Sequence, residues 1–275
     1  MSGDNDRAQR GIQSIEVGGQ LLRALVHHGR PMALKDLARE AEMSPAKAHP
    51  YMVSFGRLGL IEQDRGSGHY LLGPLALQLG LIGLQQADPV HIATPLIAEL
   101  AAQIGHTVAI AVWGDRGATI VQVAESPAVL HVNMRHGTVF SLTHTASGRL
   151  FGAYLAPETV QRLLEEDRRR ERKEAAAPRQ RGMPPHKPVP SWKDFEPQLR
   201  EVRAHALSRS EGEILPGVNA MSAPVFDHAG AIQLALTAIG PAAIFDTAWD
   251  GDIALALKAA AGQVSQRLGA ATPRA

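Results

Sequence analysis

Apolar residues recur at helical spacing in three consecutive segments near the start of the chain. In Ser14–His28 the stripe is Ile15, Val17 or Gly18, Leu21, Leu22 and Leu25, and Gly29 followed by Pro31 forms a helix stop. In MALKDLAREA the recurring positions are Leu34, Leu37, Ala38 and Ala41. Glu42, Met43 and Ser44 then connect to a third segment, Pro45–Leu58, whose Ala48, Met52, Phe55 and Leu58 share a face before Gly59 breaks the helix. Leu60–Gln63 and His69–Leu72 read as short strands around the turn Asp64–Gly68. Three helices with a tight turn between the second and third, followed by a hairpin, predict a winged helix-turn-helix over residues 11–73.

Pro74–Gln86, rich in Leu and Gln, reads as a linker helix over 74–88, and Asp88-Pro89 marks a boundary. A second domain is expected over 89–270. Ile92–Gln103 reads as helix, and HTVAIAVWG, ATIVQVAE and AVLHVNM read as strands. Helices are expected at Ala146–Leu155, Pro157–Glu166, Trp192–Ser208 and Asp250–Leu268, and strands at Asn219–Phe226 and Ala231–Ala238. The charged, Pro-rich stretch Glu165–Pro190 reads as an exposed loop. The fold class expected is α+β.

Composition narrows the function. The 275 residues are 45% hydrophobic and 20% charged, enough for packed cores. No cysteine is present, which removes disulfide scaffolds, thiol nucleophiles and thiolate metal sites. The N-terminus is polar and acidic rather than signal-like, and no apolar run reaches the length of a membrane span, so a cytoplasmic protein without membrane contact is expected. The net charge of +1 gives little support for a nucleic-acid partner, and residues 1–88 carry nine Lys/Arg against nine Asp/Glu. A DNA-binding unit of this composition must segregate its charges onto one face, because phosphate neutralisation dominates affinity.

The third helix carries the sharper signal. Ser44 suits an N-cap and Pro45 the first helical position, leaving Ser44, Ala46, Lys47, His49 and Tyr51 to face base edges and phosphates of double-stranded DNA. Pro50 removes the bond to the Ala46 carbonyl. Either the first turn bends, or the regular helix starts at Pro50 with His49 as its cap. In the hairpin Arg65, Ser67 and His69 are candidates for phosphate contact, Arg65 first, although a solvated turn arginine looks the same in sequence. Arg57 can reach the DNA backbone or pair with Glu62.

Enzymatic constellations are missing. The chain has twelve histidines, but His131 and His136 fall in a strand and a turn rather than on one helix face, with no HExxH or acidic cluster beside them. No Walker loop, GxGxxG or GxSxG occurs, and Glu165-Glu166 lies in a charge run. No catalytic residue, metal ligand or cofactor is therefore assigned.

The order of elements and several motifs resemble the IclR family of bacterial transcriptional regulators, from about Gly11 to Leu268. LKDLA, SPAKAHPY, LGLIE and HYLLG match its N-terminal pattern, LTHTASGRL (Leu142–Leu150) its central motif, and GVNAMSAPVFDHAG (Gly217–Gly230) its later one. The resemblance implies a GAF/PAS-like α/β effector-binding domain whose antiparallel sheet cups a small molecule. It also implies homodimers formed through the DNA-binding half, often paired into homotetramers, reading a palindromic operator. Ligand contacts are implied at Thr145, Ala146 and Ser147, at Ser210 and Ala220, and at Thr237 and Ile239. Helix capping at 145–147 and sheet core at Thr237 and Ile239 are the plainer alternatives. Ile239 stands where acid-binding members carry a second hydroxyl, and Ala220 offers no donor, so a largely apolar or aromatic organic acid is expected. An enzyme with a winged-helix appendage, or a DNA-binding protein with a degenerate pocket, are the competing readings.

Overall fold

Gly29 takes φ +72° and its amide returns to the Leu25 carbonyl, so the first helix, α1 (Gln13–His28), ends where only glycine turns the chain cheaply. This computed structural model describes residues 11–115, 117–126, 132, 134–174 and 188–270. The chain divides into two compact units between Gln86 and Ala87.

In the first unit α2 (Leu34–Glu40) and α3 (Pro45–Leu58) follow α1. Glu42 adopts φ +53° in the tight turn between them, and the Met43 amide bonds back to the Ala38 carbonyl at 2.9 Å. Leu21, Leu25, Leu37, Ala38, Ala48 and Met52 form one buried cluster with Ile61 and Tyr70. Each fully buried Leu or Met contributes about 2 kcal/mol of transfer free energy. Ile15 and Leu58, expected on the apolar stripes, are exposed, because three short helices leave their ends outside so small a core.

The wing is β1 (Ile61–Gln63) paired antiparallel with β2 (Tyr70–Leu72), and Met32 adds a third, single-residue bridge to Tyr70. Gly73 closes it. A Cβ there would lie 2.4 Å from the Gly59 carbonyl oxygen, so only glycine lets the chain pass this close. The next helix, α4 (Pro74–Gln86), buries none of its residues within the unit.

The second unit is built on a six-stranded antiparallel sheet. Its strands are β3 (Thr107–Gly114), β4 (Gly117–Ala124), β5 (Val139–Phe140), β6 (Ser208–Glu211), β7 (Val218–Phe226) and β8 (Ile232–Pro241), in the order β5-β4-β3-β8-β7-β6. Side chains alternate across it. On one face Val108, Ile110, Met221, Ala223, Leu234 and Leu236 pack with α5 (Pro89–Ile104) and α9 (Asp252–Arg267). On the other, Ala109, Ala111 and Ala235 pack with α6 (Ala146–Tyr154), α7 (Pro157–Glu174) and α8 (Trp192–His205) through Leu150, Phe151, Leu164, Phe195 and Leu199. The α+β class holds.

Four expectations change. The stretch from Glu165 onward is not a loop at first: α7 continues to Glu174, carried by Arg162–Glu166 and Arg169–Glu165 pairs at i,i+4 spacing. Residues 175–187 lie outside the described residues. The helix expected to reach Ser208 stops at His205, because Ala206 turns left-handed (φ +47°) and frees Ser208 to open β6. The short strands β5 and β6 went unpredicted, and β8 runs three residues beyond Ala238, to Pro241. The strand expected at AVLHVNM falls outside the described residues except for Val132 and Met134.

Candidate DNA-reading and effector sites

The Ser44 hydroxyl caps α3 by accepting the Lys47 amide at 3.3 Å, and Pro45 occupies the first helical position. The helix therefore begins at Ser44 and runs through Pro50, so His49 is no cap. Ser44, Ala46, Lys47 and His49 are exposed, whereas Ala48 and Met52 are buried. Tyr51 is placed differently. It is half-buried, and its ring lies against α1, where a Cβ at Gly18 would come within 2.9 Å of it. Little of the ring is left for a base.

α3 carries Lys47 and Arg57 and no acid. Two acids of α2 are occupied: Glu40 with His27 at 2.9 Å and Asp36 with Arg39 at 2.8 Å. Arg57 is exposed and forms no ion pair with Glu62 among the described residues. At the wing tip the Ser67 hydroxyl and amide both donate to Asp64 Oδ1 at 2.7 Å, and these hydrogen bonds hold the Asp64 carboxyl below its ordinary pKa. Ser67 is thus committed to shaping the turn, while Arg65 stands exposed at its tip and His69 is half-buried.

In the second unit, strand register brings the distant effector candidates onto one face. Thr107, Ile239, Ala220 and Ser210 are successive cross-strand partners, forming one row over β3, β8, β7 and β6. Ala109, Thr237, Ser222 and Ser208 form the adjacent row. Above the second row sits the start of α6. Ser147 Oγ is 2.9 Å from Thr237 Oγ1 and accepts from Ser222 Oγ at 3.4 Å, and a short Ser222–Thr237 hydrogen bond closes a ring of three buried hydroxyls.

Thr145 has a different role from its neighbours. Its hydroxyl accepts the Gly148 amide and donates to the Ser141 carbonyl, both at 2.8 Å, so its side chain builds the helix start. Gly148 is required there, since a Cβ would lie 2.0 Å from the Ser141 oxygen. The amides of Ala146 and Ser147, first in α6, have no acceptor within the helix. Such a terminus favours an anion.

Arg149 is buried, and its guanidinium makes a two-point pair with Glu213 at 2.8 and 3.0 Å. It also donates to the Thr143 carbonyl at 2.9 Å and to the Arg209 carbonyl. These bonds tie α6 to edge strand β6.

Sequence reasoning missed Ser222, Thr107 and Ser208. Ser222 was within reach of it: two positions beyond Ala220 in a strand lands on the same face. The Thr107 and Ser208 hydroxyls are fully buried without a partner, which no sequence pattern announces. No group of three or more metal-ligating side chains occurs among the described residues, and His131 lies outside them. No described helix is long and apolar enough to cross a membrane.

A winged helix-turn-helix followed by this antiparallel-sheet unit defines a DNA-binding regulator with a C-terminal effector domain. Residues 14–65 match the IclR helix-turn-helix domain, and residues 83–266 match the bacterial transcriptional regulator IclR C-terminal domain. The chain belongs to the IclR family. It resembles the solved structure of Pseudomonas aeruginosa HmgR, with 34% identity, a TM-score of 0.81, and coverage of 94% of this chain and 99% of that one. The glycerol operon regulatory protein of Streptomyces griseus is 28% identical over 95% of this chain and 98% of its own length. The transcriptional repressor IclR of Escherichia coli is 24% identical over 84% of this chain and 80% of its own. The last two are by name regulators of transcription.

Proposed function

We propose that this regulator releases or engages a palindromic operator in response to a small organic acid, largely apolar or aromatic, held between the start of α6 and the sheet. The observation that carries the reading is the placement of Ser147 above Ser222 and Thr237. A carboxylate at the Ala146 and Ser147 amides would have hydroxyls on one side and the apolar pair Ala220 and Ile239 on the other. Ser210 and Thr107 end the same row. Effector binding shifts the protein between states only through differential affinity for them.

On the DNA side the reading assigns base and phosphate contacts to Ser44, Ala46, Lys47 and His49, with Arg57 and the wing Arg65 on the backbone. The functional boundaries are 11–73 for the DNA-binding domain, 74–88 for the linker helix and 89–270 for the effector domain. Homodimers form through the first unit. In support, Leu77, Leu79, Leu81, Ile82 and Leu84 of α4 are 44–65% exposed, more apolar surface than one chain leaves open to water. Pairing into tetramers would run through the effector domains.

Gel shift on a palindromic fragment, with and without aromatic acids, is the test, with calorimetry for the ligand. Tight binding of glyoxylate or pyruvate and none of aromatic acids would overturn the ligand class. Absence of sequence-preferring DNA binding at moderate salt would overturn the whole reading.

A further inference from the structure

Beyond the start of α6, a cavity of about 260 Å³ opens between α8 and edge strand β6. Its wall carries three carboxylates, Glu201, Glu211 and Glu213, together with Arg149, Arg209 and the indole of Trp249. Both guanidiniums already have partners within the protein. Arg149 divides four hydrogen bonds among Glu213, the Thr143 carbonyl and the Arg209 carbonyl. Arg209 donates to the Thr247 carbonyl at 3.1 Å and stacks over Trp249, its guanidinium carbon 4.3 Å from the ring centroid. The other face of that indole is covered by the His205 ring at 4.3 Å, nearly parallel.

The acids are not matched in the same way. Glu213 is paired with Arg149, and Glu211 Oε1 accepts the Thr247 hydroxyl at 2.6 Å with Arg209 Nε at 3.9 Å. Glu201 has no ion pair or hydrogen bond among the described residues, and Glu211 keeps its second oxygen. The lining thus carries three carboxylates against two guanidiniums, and the uncommitted carboxylate oxygens are those of Glu201 and Glu211.

A second observation points to a ligand. Ser208 also lines the cavity, is fully buried, and its hydroxyl has no partner. A buried hydroxyl left unpaired opposes folding, and a donor brought by a ligand would relieve that cost. An N–H donor entering the cavity would meet the Ser208 oxygen at its floor and carboxylates at its rim.

We propose that this cavity is a second small-molecule site, for an organic cation of the guanidinium or primary ammonium class. Its uncommitted groups come from α8 and β6 rather than from the amides at the start of α6, and it does not depend on the effector reading above. A planar guanidinium suits it best, because it can present N–H groups to Ser208 and to a carboxylate at once.

The test is ligand-observed saturation-transfer NMR on the full chain at low salt, with methylguanidinium chloride and ethylammonium chloride as cations and sodium acetate as the anion. Saturable binding of the cations and none of acetate is expected. Affinity should fall about threefold in Glu201→Gln or Glu211→Gln, the size of a solvent-facing charge contact. It should fall about tenfold in Ser208→Ala, which removes a hydrogen bond to a charged group. Thermal melting confirms that each variant is folded, and the two rim variants sit on the surface, so the test survives failure of any one. Binding of acetate instead of the cations, cation binding unchanged in all three variants, or no saturable binding of any probe would each overturn the proposal.

Discussion

Ser147 Oγ lies 2.9 Å from Thr237 Oγ1 although 90 positions separate them in the chain, and this hydrogen bond fastens the first turn of α6 to the middle of the sheet. Ser222 joins both, so the two elements meet through hydroxyls rather than through packing alone. A polar seam inside a core is stable only while every member has a partner.

Removing two members of the ring should therefore cost more than twice the removal of one. Ser147→Ala is expected to destabilise the chain by about 1 kcal/mol, and Thr237→Val by a similar amount. The double variant should lose more than the sum, because each single variant leaves Ser222 one partner and the double leaves it none. Urea denaturation of the three variants gives the coupling, and strict additivity would mean that the bond contributes nothing.

Arg149 and Glu213 should behave as a buried pair, with side chains 7% and 21% exposed. Arg149→Met is expected to cost about 3–5 kcal/mol, since it strands the Glu213 carboxylate and two carbonyls. Arg149→Lys keeps the charge but not the two-point geometry and should fall between. Chemical denaturation orders the three proteins, and equal stability of Met and wild type would remove the pair from any structural role.

Unpartnered hydroxyls predict the opposite sign. Thr107→Val removes a buried oxygen that has no hydrogen bond while nearly keeping the shape, and should raise stability by about 1 kcal/mol in the absence of ligand. Differential scanning calorimetry reads this directly; a lower melting temperature would show that Thr107 is satisfied in solution.

Burial of His106, whose ring packs against Phe245 at 4.8 Å, lowers its pKa below the ordinary value of about 6.5. The unfolded chain then binds the proton more readily than the native one, so stability falls as pH drops through about 6.5 and levels off below the native pKa. Above that range the group has no effect. A His106→Gln variant should show a flatter stability curve between pH 7 and 5.

On DNA, Lys47→Ala and Arg65→Ala separate reading from holding. Loss of a phosphate contact lowers the salt dependence by about one unit and weakens all sequences alike. Loss of a base contact instead relaxes preference at one operator position. Lys47 is expected to do the latter and Arg65 the former, as fluorescence anisotropy on operator variants over a salt series would show.

The winged helix was legible because its signals are local: helical spacing, Ser44 before Pro45, and glycines 29 and 59 at helix ends. Proline 50 misled only in part, since a capped first turn stabilises a helix that a single lost bond does not stop. Long-range consequences were less legible. Leu58 fits its apolar stripe and yet is exposed, and Tyr51 looks like a groove contact and yet lies on Gly18, because the neighbour that covers or exposes a helix face is set by packing.

What the sequence determined by itself is most of the order of elements, the class of the DNA-binding unit and the family, all carried by spacing within short segments. Tertiary structure alone decided that Thr107, Ser208, Ser222 and Thr237 share one face, that Ser147 closes on two of them, and that Arg149 spends its charge on Glu213. The reason is strand register. Hydrogen-bonded ladders join residues more than a hundred positions apart, and a slip of one residue would send every one of those side chains to the opposite face.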